Sequence, residues 1–202
     1  MSSSFDLERL LAESPPKRVL GLAVRAAARL VPILAASVET AGPEALEWMN
    51  AAHCGAAILK RFASGERVSR FLLGAVADVL RGAANANAQV MRQMGPSKET
   101  EWAEYALAAV AMAADAARSI GTPKFGTTIG QAVRAVRHVG LVPEELLGTD
   151  AAVVATDAWP DLWPEGSEPS WSRDGWERYL RGGPFPALFG ERGTSATVVA
   201  KS

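Results

Sequence analysis

The sequence has a single cysteine, Cys54, and only two histidines, His53 and His138. One thiol cannot close an intrachain disulfide or build a cysteine-rich zinc site. The histidines fall on different predicted helices, with no His-x-x-x-His or Glu-x-x-His spacing to seat a metal. Phosphate loops are also missing, with no Gly-x-x-x-x-Gly-Lys-Ser/Thr and no Gly-x-Gly-x-x-Gly after a strand. The opening residues Met1-Ser2-Ser3-Ser4-Phe5-Asp6 lack the charged and apolar regions of a secretory signal. No run reaches the roughly 18–20 uninterrupted apolar residues of a membrane span. The nearest, Val19 to Val38, is broken by Arg25, Arg29 and Pro32. Nor does one sign of charge dominate. The 21 Lys and Arg oppose 22 Asp and Glu, for a net charge of −1, which speaks against a general nucleic-acid binder. These absences predict a cytoplasmic protein without membrane contact, metal or cofactor.

What is present is ordinary globular material. Of the 202 residues, 49% are apolar and 21% charged, enough to bury one sizeable core. Composition divides the chain. Residues 1–155 are alanine-rich with helical periodicity, and residues 156–202 are rich in Trp, Pro and Gly. The second stretch is expected to be an appendage and tail of the same domain.

Five amphipathic stretches and a short sixth are legible. Ser14-Pro15-Pro16 opens the first strong helix, with serine as the expected cap. Arg18, Leu22, Arg25 and Arg29 share one face, predicting a basic outer surface, and Pro32 should kink the helix. Gly42-Pro43-Glu44 starts the next, which ends near Ala63-Ser64-Gly65. In the third, Val68, Leu72, Ala75, Val79, Ala83, Ala86 and Val90 form the apolar stripe. Arg67, Arg70, Asp78, Arg81, Asn85, Gln89 and Arg92 form the polar one. Met94-Gly95-Pro96-Ser97 stops it and caps a fourth helix expected to bury Trp102, Tyr105 or Ala106, Ala109, Ala113 and Ala116. Gly121-Thr122-Pro123 precedes a fifth, with Phe125, Ile129, Ala132, Val133 and Val136 inward. Gly140 ends that helix, and Pro143-Glu144-Glu145 opens the sixth. Short connections imply antiparallel neighbours. The expected fold is all-α, an antiparallel bundle of five to six helices with the Trp/Pro/Gly-rich appendage packed on it. Alanine buries little area, so stability should lean on Leu20, Ile33, Trp48, Ile58, Phe62, Phe71, Trp102, Phe125 and Ile129.

Chemistry is sparse. His53-Cys54 is the one adjacent pair suggestive of nucleophilic catalysis. Adjacent helix residues point about 100° apart, so the expectation is a surface histidine beside a small buried thiol. Asp78, Glu104 and Asp115 could approach each other across helices, but acids on outer faces are expected to be solvated. Gly126-Thr127-Thr128 is expected to be a plain helix start rather than an anion cradle. The arginine stripe of the third helix, with Arg134 and Arg137, offers a phosphate-binding reading against that of a solubilising face.

The tryptophans are the least ordinary feature. Four of six lie between Trp159 and Trp176. They either strap the segment onto the helices or anchor a partner. The turns at Gly166-Ser167 and Pro169-Ser170 must reach the surface. Trp163, Glu165, Glu168, Trp171 and Asp174 then give an aromatic anchor with an acidic rim, the predicted partner-binding residues.

Two short motifs carry a resemblance. One is Pro16-Lys17-Arg18-Val19 leading to Arg29-Leu30-Val31-Pro32-Ile33-Leu34. The other is Leu162-Trp163-Pro164-Glu165-Gly166. With the order of elements between them, the chain resembles a group of uncharacterised alanine-rich helical proteins of GC-rich bacteria. Its expected architecture also looks like the helical immunity proteins of bacterial toxin systems, an analogy of fold alone. The leading expectation is a non-enzymatic protein-interaction module, of immunity or adaptor type, whose partner is another protein. A small enzyme with a pocket between helices is the alternative. A nucleic-acid binder acting through the arginine stripe is the third.

Overall fold

In the computed structural model, residues 6–31, 34, 44–95, 97–140 and 144–155 are described. All belong to one unit of the chain, Met1–Trp159. Among the described residues there are seven helices and no strand: α1 (Leu7–Glu13), α2 (Pro16–Leu30), α3 (Glu44–Ala63), α4 (Arg70–Met94), α5 (Lys98–Ser119), α6 (Lys124–Val139) and α7 (Glu144–Ala155). Together they hold more than half of the 202 residues, as expected of an all-α chain. No helix among the described residues is long and apolar enough to cross a membrane.

The extra element is α1. Asp6 caps it by accepting a hydrogen bond from the Arg9 amide at 3.1 Å, and an exposed Arg9–Glu13 pair spans its single free turn at 3.0 Å. Ser14 therefore closes α1, with its amide donating to the Leu10 carbonyl at 3.0 Å. The expected serine cap of the following helix is replaced by Pro15, with Pro16 at the first helical position. Proline suits that position because its fixed φ is helical and its missing N–H has no partner to lose.

α2 contradicts the expected basic outer face. It packs against α3, α5, α6 and α7, so every residue from Val19 to Leu30 is buried except the half-buried Arg25. Leu22 is fully buried, and Arg29 is only 7% exposed. A helix surrounded on all sides has no outer face to give its arginines, which must find partners inside. Pro32, Ile33 and the expected kink lie outside the described residues.

α5 is the second central helix, touching α2, α3, α4 and α6. Its buried residues are mostly small: Ala103, Ala106, Ala109, Val110, Ala113, Ala114, Ala116 and Ala117. Small side chains let neighbouring axes approach closely, and the junction at Gly55 of α3 shows how closely. A Cβ at Gly55 would stand 3.1 Å from Val76 Cγ1 and 3.2 Å from Leu80 Cδ1 on α4, and 3.4 Å from Val110 Cγ1 on α5. Three helices thus meet where one has no side chain.

The expected stops hold. Gly95 ends α4 at φ +89°, and its amide donates to the Met91 carbonyl at 2.9 Å. Ser97 and Thr100 cap α5 reciprocally: each backbone amide donates to the other's hydroxyl, at 3.1 and 3.2 Å. Gly140 closes α6 in the left-handed region at φ +69°, where glycine escapes the Cβ penalty. On α6 the inward residues Phe125, Ile129, Ala132, Val133 and Val136 are all buried. The helix begins at Lys124 after Pro123, so Gly126-Thr127-Thr128 lie inside its first turns. The Thr128 hydroxyl there donates to the Lys124 carbonyl at 2.9 Å.

Candidate functional site

The arginines of α2 meet α7. Asp150 has a fully buried side chain between Arg25 and Arg29. Arg29 donates through Nε to Oδ2 at 2.7 Å and through Nη2 to Oδ1 at 2.8 Å. Arg25 donates through Nε to Oδ1 at 3.0 Å. One turn of α2 separates the two guanidiniums, so a single carboxylate from α7 serves both. This two-pronged geometry is the strong form of a buried ion pair. The carboxylate is wholly enclosed by the fold, and its evident work is to fasten α7 to α2.

His53 and Cys54 are placed opposite to expectation. Cys54 is exposed and His53 is half-buried. The register of α3 decides this, since Ala45, Trp48, Met49, Ala52, Ala56, Leu59 and Ala63 form its buried stripe. Position 54 falls outside that stripe and position 53 at its margin. His138 is exposed, and its ring lies 4.3 Å from that of Tyr105. Among the described residues no group of three or more His, Cys, Asp and Glu stands close enough to hold a metal.

The acids and arginines at the α4–α5 seam are not independent. Arg81 donates to Asp78 and to Asp115, each at 2.8 Å, and Arg118 reaches Asp115 at 3.5 Å. Asp78 and Asp115 are thus paired acids rather than merely solvated ones. The middle arginine of the suggested phosphate-binding stripe is committed to carboxylates.

The least expected surface is on α4. Its buried residues are Leu73, Gly74, Val76, Ala77, Leu80 and Asn87, which overturns the predicted core stripe through Leu72 and Val79. Those two are 41% and 59% exposed, and Phe71, predicted to support the core, is 87% exposed. Phe71, Ala75, Val79, Gly82 and Ala86 recur at helical spacing and define one outward line about 22 Å long. Gln89 and Gln93 continue it without charge and are exposed. Across a strip holding the exposed Asp78 and Asn85, Arg70, Arg81 and Arg92 recur every eleven residues, close to three turns apart, and so form one edge of the outer face. Arg67, Arg70 and Arg92 are exposed. None makes an ion pair with a described residue.

Asn87 is fully buried. Its Nδ2 donates to the Thr100 carbonyl at 2.8 Å, fixing the last turns of α4 on the start of α5. Its Oδ1 has no partner among the described residues. One asparagine in a run of Asn and Gln carries the sequence signature of solvent-facing material, so nothing in the sequence marks Asn87 as core.

Trp163, Glu165, Glu168, Trp171 and Asp174, the residues expected to bind a partner, lie outside the described residues. No family model, curated protein or solved structure matches the chain.

Proposed function

We propose that this chain is a non-enzymatic protein-interaction module of the cytoplasm, of immunity or adaptor type. Its helices form an antiparallel bundle on which residues 156–202 pack. One observation carries the reading: the outward apolar line of α4, where Phe71 is 87% exposed. Contiguous apolar surface of this kind costs solubility unless it has a partner, and helix faces are common docking surfaces. The aromatic and acidic group at Trp163, Glu165, Glu168, Trp171 and Asp174 remains a second proposed patch, suited to a basic partner.

The experiment is an affinity capture from native lysate with three baits: wild type, Phe71→Ser and Trp171→Ala. The reading expects a discrete partner that is lost with Phe71→Ser while the melting curve is unchanged. Loss with Trp171→Ala alone would move the interface to the tryptophan segment. Capture of no protein by any bait would overturn the module reading.

A further inference from the structure

We propose that the outer face of α4 receives one amphipathic helix of another protein, whose acidic edge lies against Arg70 and Arg92. The inference rests on the interaction reading above and names the chemistry of the partner.

Three observations select this occupant. First, the face is one helix wide and uneven in height. Phe71 and Val79 project, while Ala75, Gly82 and Ala86 between and beyond them leave a trough. A Cβ built on Gly82 would meet nothing within 4 Å, so the trough is open on the protein's own side. Small residues in line let a second helix approach closely and seat its larger side chains.

Second, the charge on the adjoining edge is one-sided. Arg81 is neutralised by Asp78 and Asp115, but Arg67, Arg70 and Arg92 stand exposed without an acid among the described residues. Arg70 and Arg92 are about 33 Å apart along the helix. A partner helix reaching both must run about 22 residues and carry acids toward both ends of one edge.

Third, the same charges disfavour the other occupants. In a two-fold pairing of α4 with a second copy, an antiparallel arrangement sets Arg70 beside Arg92. A parallel arrangement sets each arginine beside itself. Both juxtapose like charges, which opposes association. A helix built to lie on an anionic membrane carries large apolar groups along its buried face, whereas here the line holds one aromatic residue, one valine and otherwise only alanine and glycine.

The test uses the full chain and a displayed library of 25-residue amphipathic helices. The library has a Leu/Ile stripe, with Glu, Lys and Gln sampled equally on both edges. Selected peptides are then titrated by fluorescence anisotropy against wild type, Gly82→Leu and the double variant Arg70→Glu, Arg92→Glu. Gly82→Leu fills the trough without a clash inside the protein, so its melting temperature should not fall. The expected result is enrichment of Glu along one edge, loss of binding on Gly82→Leu, and about tenfold weaker binding on charge reversal.

Peptides that lose binding on Gly82→Leu but show no preference for Glu would overturn the acidic partner and leave the interaction reading standing. Failure to enrich any peptide, or peptides indifferent to Gly82→Leu, would overturn α4 as the docking face, while the interaction reading stands or falls with the lysate capture. Two parallel measurements cover the other occupants. A dimer in sedimentation that Gly82→Leu dissociates would assign the face to a second copy. Binding to phosphatidylserine–phosphatidylcholine vesicles that Gly82→Leu strengthens would assign it to a membrane. Either outcome overturns the proposal.

Discussion

Asp150 concentrates more consequence than any other single residue, because its carboxylate is buried against two guanidiniums. Removing one member of a buried ion cluster leaves desolvated charge behind. We expect Asp150→Ala to lower the free energy of unfolding by about 3–5 kcal/mol in urea titrations. Arg25→Met, Arg29→Met and Asp150→Leu made together should recover most of that loss. Full recovery by Asp150→Ala alone at high salt would show the cluster to be solvated and the geometry irrelevant. This partnership was not legible beforehand. Arginines at helical spacing look the same in sequence whether they meet water or an acid 121 residues away. Cys54 shows the same limit at smaller stakes, since a free cysteine is usually buried and only the register of α3 turns this one outward. Its exposure predicts full labelling of the native protein by a thiol reagent. Cys54→Ser should change stability by no more than about 0.5 kcal/mol. A native protein that resists labelling until it is unfolded would contradict the placement.

At the scale of the element, the helices legible in the sequence are those with one apolar face. α6 has a single such face, so Phe125, Ile129, Val133 and Val136 could point only inward. α4 carries two candidate lines, one through Leu72, Ala75 and Val79 and one through Leu73, Val76 and Leu80. Periodicity alone does not rank them. The neighbours rank them: α3 and α5 cover the second line and leave the first in water. The register makes a sharp prediction. Leu73→Ala, at a fully buried position, should cost about 2–5 kcal/mol. Phe71→Ser should stay within about 0.5 kcal/mol of wild type. Equal losses in chemical denaturation would place both side chains in the core and contradict this register. α1 is hard to see in the sequence for a different reason. Its seven residues are too few for amphipathic period to show, although Asp6 and Glu8 are ordinary start signals.

For the whole molecule, the all-α class and most helix boundaries were legible because Gly95, Ser97 and Gly140 act through local geometry. The depth at which α2 and α5 sit was not, because alanine-rich faces look alike whether they are central or peripheral. The proposed packing of residues 156–202 makes a prediction at this scale. Four tryptophans left in water forgo on the order of 1.5–3 kcal/mol each, so a chain ending at Ala155 should melt at a lower temperature. Trp159, Trp163, Trp171 and Trp176 should also resist an aqueous quencher in the full chain. Unchanged melting with full quenching would refute that packing. The clasp between Arg29 and Asp150 also has a consequence in time. Translation runs at about 5–20 residues per second, and 121 positions separate the two side chains. For about 6–24 seconds of synthesis, then, the helix destined for the centre of the protein waits for the carboxylate that will hold its arginines. The nascent chain must keep those arginines hydrated over that interval, so α2 can complete its burial only after α7 has left the ribosome.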